Sequence, residues 1–272
     1  MLKKLHYTLI ATIAFAATIG CSDNNSNDNT PFDKTPVINF TVIASFPHDT
    51  ALFTEGLLIH NGKFFESSGA PTDCPKCKSV IGVTNLSTGT FDKKIELDKS
   101  IYFGEGIAFF GNKLYQLTYK NKTGFIYDGT SFKKIDSFMY SNKEGWSLTN
   151  NGKALIMSDG SNNLTFLDPK NLKVLKVLKV TENGVARDSL NELEYIKGFI
   201  YANIWMNNHI VKIDTGSGEV IGKIDLAGLT NDAFRRNPNV DVLNGIAYDS
   251  TNDKIYVTGK LWTRIYQIDF IH

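Results

Sequence analysis

Five times along this chain an acid or amide stands beside a glycine or a second acid, and each time an apolar run, a turn and another apolar run follow. The pairs are Glu55-Gly56, Glu105-Gly106, Glu144-Gly145, Asn191-Glu192 and Asn244-Gly245, at steps of 50, 39, 47 and 53 residues. Steps of that length suit repeated units of four short strands. The second run resumes 9 or 11 residues after its anchor, at Phe64, Leu114, Leu155, Ile200 and Ile255. The difference is even, so it preserves the facing of a strand whose side chains alternate with period two. Further runs at 124–128, 164–168 and 210–214 each close in a turn. Phe199, Tyr201, Asn203 and Trp205 are expected on one strand face, with Ile200, Ala202 and Ile204 on the other. No long stretch carries the 3.6-residue period of a helix, and the one helical turn expected is Asn231 to Arg236.

The last unit reaches His272 with only three strands after Asn244. The run Val37 to Ala44 supplies the missing fourth, which closes the ring and leaves no open edge. The expected fold is therefore all-β, one five-bladed β-propeller over residues 37–272. A sandwich with similarly spaced turns explains neither five like units nor the incomplete last one.

Residues 1–36 do not share this texture. Lys3 and Lys4 precede an apolar run from Tyr7 to Ile19, too short to span a bilayer comfortably and typical of a secretory signal. Thr18-Ile19-Gly20-Cys21 resembles a bacterial lipobox, which makes 1–20 a lipoprotein signal peptide and Cys21 the lipidated first residue of the mature protein. Residues 21–36, with one aromatic and no aliphatic side chain after Cys21, read as a flexible tether. The expected location is the bacterial envelope, lipid-anchored to a membrane and facing the periplasm or the exterior. With 29 Lys+Arg against 28 Asp+Glu there is no basic surplus, so nucleic acid is not expected as a partner. A monomer is expected. The remaining cysteines, Cys74 and Cys77, form a lone CxxC, two ligands short of a closed zinc site. In an oxidising compartment they read as a disulfide that staples a loop.

Ten segments add a family resemblance. Phe53-Thr-Glu-Gly56, Phe65-Glu-Ser-Ser-Gly69, Phe103-Gly-Glu-Gly106, Gly124-Phe-Ile-Tyr-Asp128 and Glu144-Gly-Trp146 come first. Ser158-Asp-Gly160, Leu190-Asn-Glu-Leu-Glu-Tyr195, Tyr201-Ala-Asn-Ile-Trp205, Asp241-Val-Leu-Asn-Gly-Ile-Ala247 and Thr258-Gly-Lys260 follow. In this order they resemble the signature segments of the glutamine cyclotransferases, the plant and bacterial type of glutaminyl-peptide cyclotransferase. The resemblance implies a five-bladed propeller that converts N-terminal glutamine of peptides to pyroglutamate with release of ammonia, with no catalytic metal or other cofactor.

That chemistry needs a neutral α-amine to attack its own γ-carboxamide, one carboxyl group to take a proton and return it to the leaving nitrogen, and a donor for the oxyanion. Aromatic walls hold the side chain near its amine and exclude water. By resemblance the proton shuttle is Glu105, while Lys260 pairs with the carboxylate or serves the oxyanion and Asn191 holds the substrate's amide or amine. Trp146 and Trp205 match pocket aromatics, joined by Phe53 and Phe103. The sequence departs from the family most in the Cys74-Pro-Lys-Cys77 loop, where a Tyr-Gly and Ser-rich stretch is typical, and at single positions, including Thr263 where Pro is usual. Glu55 stands where Gln is usual, bringing a charge that would raise the pKa of a neighbouring carboxyl group, and Tyr119 stands where Trp is frequent. Metal binding is open only through the acids and amides Glu55, Glu105, Asn191 and Asn244, which could hold Ca²⁺ as in propeller lactonases. A third reading is a lipid-tethered binding platform without chemistry.

The location is tested at one residue. Cys21→Ala is expected to move the protein from the detergent phase to the aqueous phase on partition of cell envelopes. Wild-type protein already wholly aqueous contradicts the anchor.

Overall fold

The computed structural model describes residues 35–272. The expectations for the signal peptide, Cys21 and most of the tether lie outside the described residues. Within them, five antiparallel four-stranded sheets follow one another in chain order. Blade 1 runs from an inner strand, Phe53–His60, through Lys63–Gly69 and Val80–Thr84 to Phe91–Glu96. The inner strands of blades 2 to 5 are Gly104–Phe110, Leu148–Asn150, Leu190–Ile196 and Leu243–Asp249. Each inner strand packs against the next, and the fifth against the first, so the ring is closed.

Closure falls to an N-terminal strand, as expected, but a later one. It is Thr41–Pro47, hydrogen-bonded to Arg264–Asp269 as the outermost strand of blade 5. The run Val37 to Ala44 is divided: Val37 bridges to Lys223 on blade 4, and Ile38 lies over Gly222, where a Cβ would sit 2.6 Å from its Cδ1. The chain thus straps two blades before it joins the last sheet. The expected helical turn is a full helix, Ala227–Arg236, that buries Leu229 and Ala233 and carries Arg235 and Arg236 in its last turn, where they complement the helix dipole.

Each blade is buried on both faces. Neighbouring residues of one strand serve different interfaces: Leu58, Phe65 and Ile107 belong to the cluster between blades 1 and 2, whereas Leu57 and Phe64 join Ala247 and Ile265 between blades 5 and 1. Ala108, Tyr115 and Leu155 likewise form the core between blades 2 and 3. The period of two seen in the sequence is therefore an alternation between two cores.

Near the axis the inner strands approach so closely that side chains are excluded. A Cβ on Gly106 would lie 2.4 Å from the Ser147 Cα, and one on Gly56 would lie 3.0 Å from the Ile107 nitrogen. At the same places the register shifts, between Thr54 and Gly56, Gly104 and Ile107, Leu190 and Leu193, and Leu243 and Ile246. Such bulges leave backbone groups without a ladder partner. Side chains from across the ring satisfy them. Glu192 accepts from the backbone nitrogens of Leu57 at 3.2 Å and Ile246 at 2.9 Å, and Asn203 Oδ1 accepts from Gly245 at 2.9 Å.

The third anchor is two positions later than its sequence pattern suggested. Trp146, not Glu144, occupies the place that Glu55, Glu105, Asn191 and Asn244 hold in the other blades, as the pairing of Asn150 with Leu155 requires. Gly145 answers a different need, because a Cβ there would lie 2.6 Å from the Tyr140 hydroxyl. Trp205 also lies just past its strand, which ends at Ile204.

Glu192→Leu strips two buried N–H groups of their acceptor, each worth about 1–3 kcal/mol when unmet. Urea unfolding should show a loss of that order, with Glu192→Gln costing less. An unchanged midpoint for the leucine variant contradicts the tie across the ring.

Candidate functional site

Inner strands begin, and second strands end, at the same mouth of the ring because the two are antiparallel. Repetition of those two positions around five blades gathers residues far apart in sequence. Phe53, Glu55, Phe103, Glu105, Tyr119, Trp146, Asn191, Trp205 and Lys260 all line one cavity of about 330 Å³, together with Pro71. Tyr119, Trp205 and Lys260 each follow the last residue of a second strand, Thr118, Ile204 and Gly259. Their backbone nitrogens donate to Phe103, Ser189 and Val242, so one local geometry is repeated with three different side chains.

Two aromatic groups wall the cavity. The Phe103 ring meets Phe53 edge-on at 6.3 Å and Tyr119 at 5.9 Å. It fits only because residue 69 is glycine: a Cβ there would lie 2.2 Å from the ring. Trp146 and Trp205 meet edge to face at 5.7 Å. Gly160, at φ +80°, leaves space for Trp146, whose Nε1 donates to Glu144 Oε2 at 2.9 Å. Trp205 is 47% exposed and forms part of the rim.

Between these walls lie two carboxyl groups and one ammonium. Lys260 Nζ is 2.7 Å from Glu55 Oε1 and 4.4 Å from the centre of the Phe53 ring. Lys260 therefore pairs with Glu55, not with Glu105. Glu55 and Glu105 stand close enough for each to shift the titration of the other. Burial pushes Glu55 up to about 6 against the opposing pull of Lys260, with Asp241 adding to the rise. Burial, then the Glu55 charge, raise Glu105 well above the usual carboxylate range; Lys260 opposes this and Glu144 adds to it. Two like charges buried side by side repel one another, so each carboxylate favours the protonated form of the other. The Glu55 charge thus makes Glu105 a stronger proton acceptor than an isolated carboxylate. Asn191 is buried at the cavity wall, its backbone carbonyl held by Ser158 Oγ at 2.8 Å. Asn244 lies behind Glu55 and spends its amide on the Thr54 carbonyl at 2.9 Å. A calcium site built from this set would need Glu55 as a ligand, and the Lys260 ammonium already stands there.

Sequence reasoning missed a supporting layer. His48, which no sequence motif marks, is buried in the segment that leads from the closing strand to blade 1. Its Nε2 lies 2.9 Å from Glu66 Oε1, and its Nδ1 lies 2.9 Å from the Trp262 carbonyl. A carbonyl and a carboxylate both only accept, so both ring nitrogens donate and the imidazole is charged. Thr54 and Thr84 hydroxyls donate to the same Glu66 carboxylate at 2.7 and 2.9 Å. Thr54 precedes Glu55, and Trp262 follows Lys260 by two, so this pair braces both partners of the site's ion pair. Pro71 was also missed: its loop has no period, and the CxxC motif that follows says nothing of a proline facing the cavity. Beyond Pro71, Cys74 and Cys77 are joined by a disulfide with Cα atoms 5.3 Å apart.

A ring of antiparallel blades with a buried acid pair, a lysine and aromatic walls at one mouth defines a propeller with a pocket of ionisable groups fit for a small polar ligand. Comparison with known proteins narrows that class. A family model described as glutamine cyclotransferase matches residues 12–270. A glutaminyl-peptide cyclotransferase of Arabidopsis thaliana is 40% identical over 229 residues, 84% of this chain and 70% of the relative. The crystal structure of Myxococcus xanthus glutaminyl cyclase aligns at a TM-score of 0.76 with 33% identity, over 87% of this chain and 100% of that one. The chain belongs to the glutamine cyclotransferase family.

The charged histidine yields a pH test. Burial lowers its pKa, but the Glu66 carboxylate and the Trp262 carbonyl more than offset this, so the folded value stands above the ordinary 6.5. A raised folded value contributes stability below about pH 6.5 that is lost as pH rises through the folded pKa. The stability gap between wild type and His48→Gln in urea is therefore expected to be larger at pH 6 than at pH 9. A gap that grows with pH contradicts a charged His48.

Proposed function

We propose that this chain cyclises N-terminal glutamine of peptides to pyroglutamate with release of ammonia, and that Glu105 moves the proton. The family model and the plant and bacterial relatives support the activity. The role of Glu105 is supported by one feature above the others: a carboxyl group in the cavity whose proton affinity is raised by burial and then by a second carboxylate, which is itself held by Lys260.

A free α-amine is mostly ammonium near neutral pH, with an ordinary pKa of about 7.7–8.0. A carboxylate with raised proton affinity takes that proton at low cost, and the amine becomes the nucleophile. Its nitrogen attacks the carbonyl carbon of the side-chain carboxamide, Cδ, the new C–N bond closes a five-membered ring, and the carbonyl π electrons move to oxygen. Lys260 stands beside the acid pair as the donor for that oxyanion, and Asn191 orients the carboxamide. Glu105 then protonates the carboxamide nitrogen, the oxyanion re-forms the carbonyl as the C–N bond to that nitrogen breaks, ammonia leaves, and the ring nitrogen gives its extra proton to the Glu105 carboxylate. Phe53, Phe103, Tyr119 and Trp146 confine the side chain, and Trp205 covers it from the rim. The lipid anchor at Cys21, which rests on the sequence of the first residues, would place this reaction on peptides at the bacterial envelope.

Glu105→Gln keeps the shape and removes the titrating group, so turnover of a Gln-initiated peptide should fall about 10²–10⁴-fold while the fold persists. Lys260→Ala should also lower kcat, and Trp205→Ala should act chiefly on KM. Glu144 is unsuitable as a control because it touches Trp146. Glu194→Gln serves instead: Glu194 is an acid in the cavity formed lower on the inner strands, with Leu58 and Tyr248. Near wild-type ammonia release from Glu105→Gln would remove Glu105 from the reaction.

A further inference from the structure

A glutaminyl residue at a peptide N-terminus fills the cavity, yet the rest of the peptide has to leave it. We propose that the residues following the glutamine lie in a groove between the Cys74–Cys77 loop and the 239–241 segment, and that this groove favours basic side chains there. The inference rests on the cyclotransferase reading.

The groove has a volume of about 530 Å³ and shares Phe53 and Pro71 with the reaction cavity, so the two spaces meet at these side chains. Val240 and Leu261 give it apolar surface, Asp73 and Lys76 stand on one bank, and Asp241 stands on the other. Two acids against one base leave a negative balance that suits a lysine or arginine of the peptide. On the opposite rim, Trp205 and Met206 are exposed and offer apolar surface without charge.

Both banks are fixed. The Asp241 backbone nitrogen donates to the Lys260 carbonyl at 2.9 Å, and its own carbonyl accepts from Trp262 Nε1 at 2.9 Å. On the other side the disulfide closes a turn in which the Cys77 nitrogen donates to the Cys74 carbonyl at 3.0 Å and the Cys74 nitrogen donates to the Pro71 carbonyl at 3.1 Å. Cys77 is fully buried while Asp73 and Lys76 reach solvent, so the loop is anchored at one end and presents its charges at the other. A groove ordered before binding spares the peptide part of the usual ordering cost. The CxxC loop, where the sequence departs most from its family, would on this account set peptide preference and leave the reaction alone.

Glutaminamide, which reaches only the cavity, separates the two sites. The experiment measures kcat and KM of the purified protein for glutaminamide and for two tetrapeptides, Gln-Lys-Lys-Ala and Gln-Glu-Glu-Ala. The wild type should prefer the basic peptide. Asp73→Lys should reduce that preference at least about two- to fivefold, the worth of one exposed ion pair, through KM. The pair Cys74→Ser and Cys77→Ser should raise KM for both tetrapeptides, and glutaminamide turnover should stay unchanged in every variant. Equal KM for the two peptides, with no response to Asp73→Lys, would overturn the groove while leaving the cyclotransferase reading intact. Turnover of none of the three by wild type would overturn that reading. The groove is then decided by binding of the basic tetrapeptide, followed through tryptophan fluorescence: binding weakened by Asp73→Lys supports it, and indifference ends it.

Discussion

The structure depends on how closely five inner strands can approach a common axis. Where Gly56 and Gly106 stand, a single added carbon would strike the neighbouring strand. Strands that close cannot keep a regular ladder, and bulges appear at Glu55, Glu105, Asn191 and Asn244 or beside them. A bulge turns a side chain out of the sheet plane and strands a backbone donor. The first effect aims Glu55, Glu105 and Asn191 into one mouth of the ring. The second is met by Glu192, Asn203 and Ser147, whose Oγ accepts from the Leu193 nitrogen at 3.0 Å. The same constraint thus forms the ring and exposes its chemistry.

Electrostatics then divides the acids by role. Glu192 has no route to the cavity and ties strands together, although burial raises its proton affinity too. Glu55 pairs its charge with Lys260, and Glu105, buried and crowded by Glu55, has its proton affinity raised. Behind them the His48–Glu66 pair fixes the backbone on both sides of the Glu55–Lys260 bridge, so the closing segment of the ring also sets the position of the reacting groups.

Much of the fold was legible because alternation and turn chemistry act locally. Asn61-Gly62, with φ values of 50° and 69°, forms the tight hairpin its sequence announces. The third anchor was misplaced because Gly145 makes room for the Tyr140 hydroxyl, a contact that looks the same in sequence as a close approach of strands. The closing strand was placed early because an apolar run does not say which blade receives each half. The membership of Glu105, Lys260 and Asn191 in one pocket came from family resemblance rather than from any periodicity. The partner of Lys260 was not legible at all, since 205 residues separate it from Glu55 and only ring closure brings them together. His48 and Glu66 carry no local signal, because their pairing follows from burial against blade 5.

The central claim is that Glu55 raises the proton affinity of Glu105. It is tested most directly by the ratio of kcat/KM for wild type to that for Glu55→Gln, measured across pH with one Gln-initiated peptide. The titration of the peptide's own amine is common to both enzymes and cancels in the ratio. Without the Glu55 charge, and with Lys260 released, Glu105 loses its proton at lower pH, so the variant keeps its base in acid where the wild type does not. The account predicts a ratio that falls as the pH is lowered through the raised pKa of Glu105 toward the usual carboxylate range. A ratio that stays flat, or rises, across that range would contradict it.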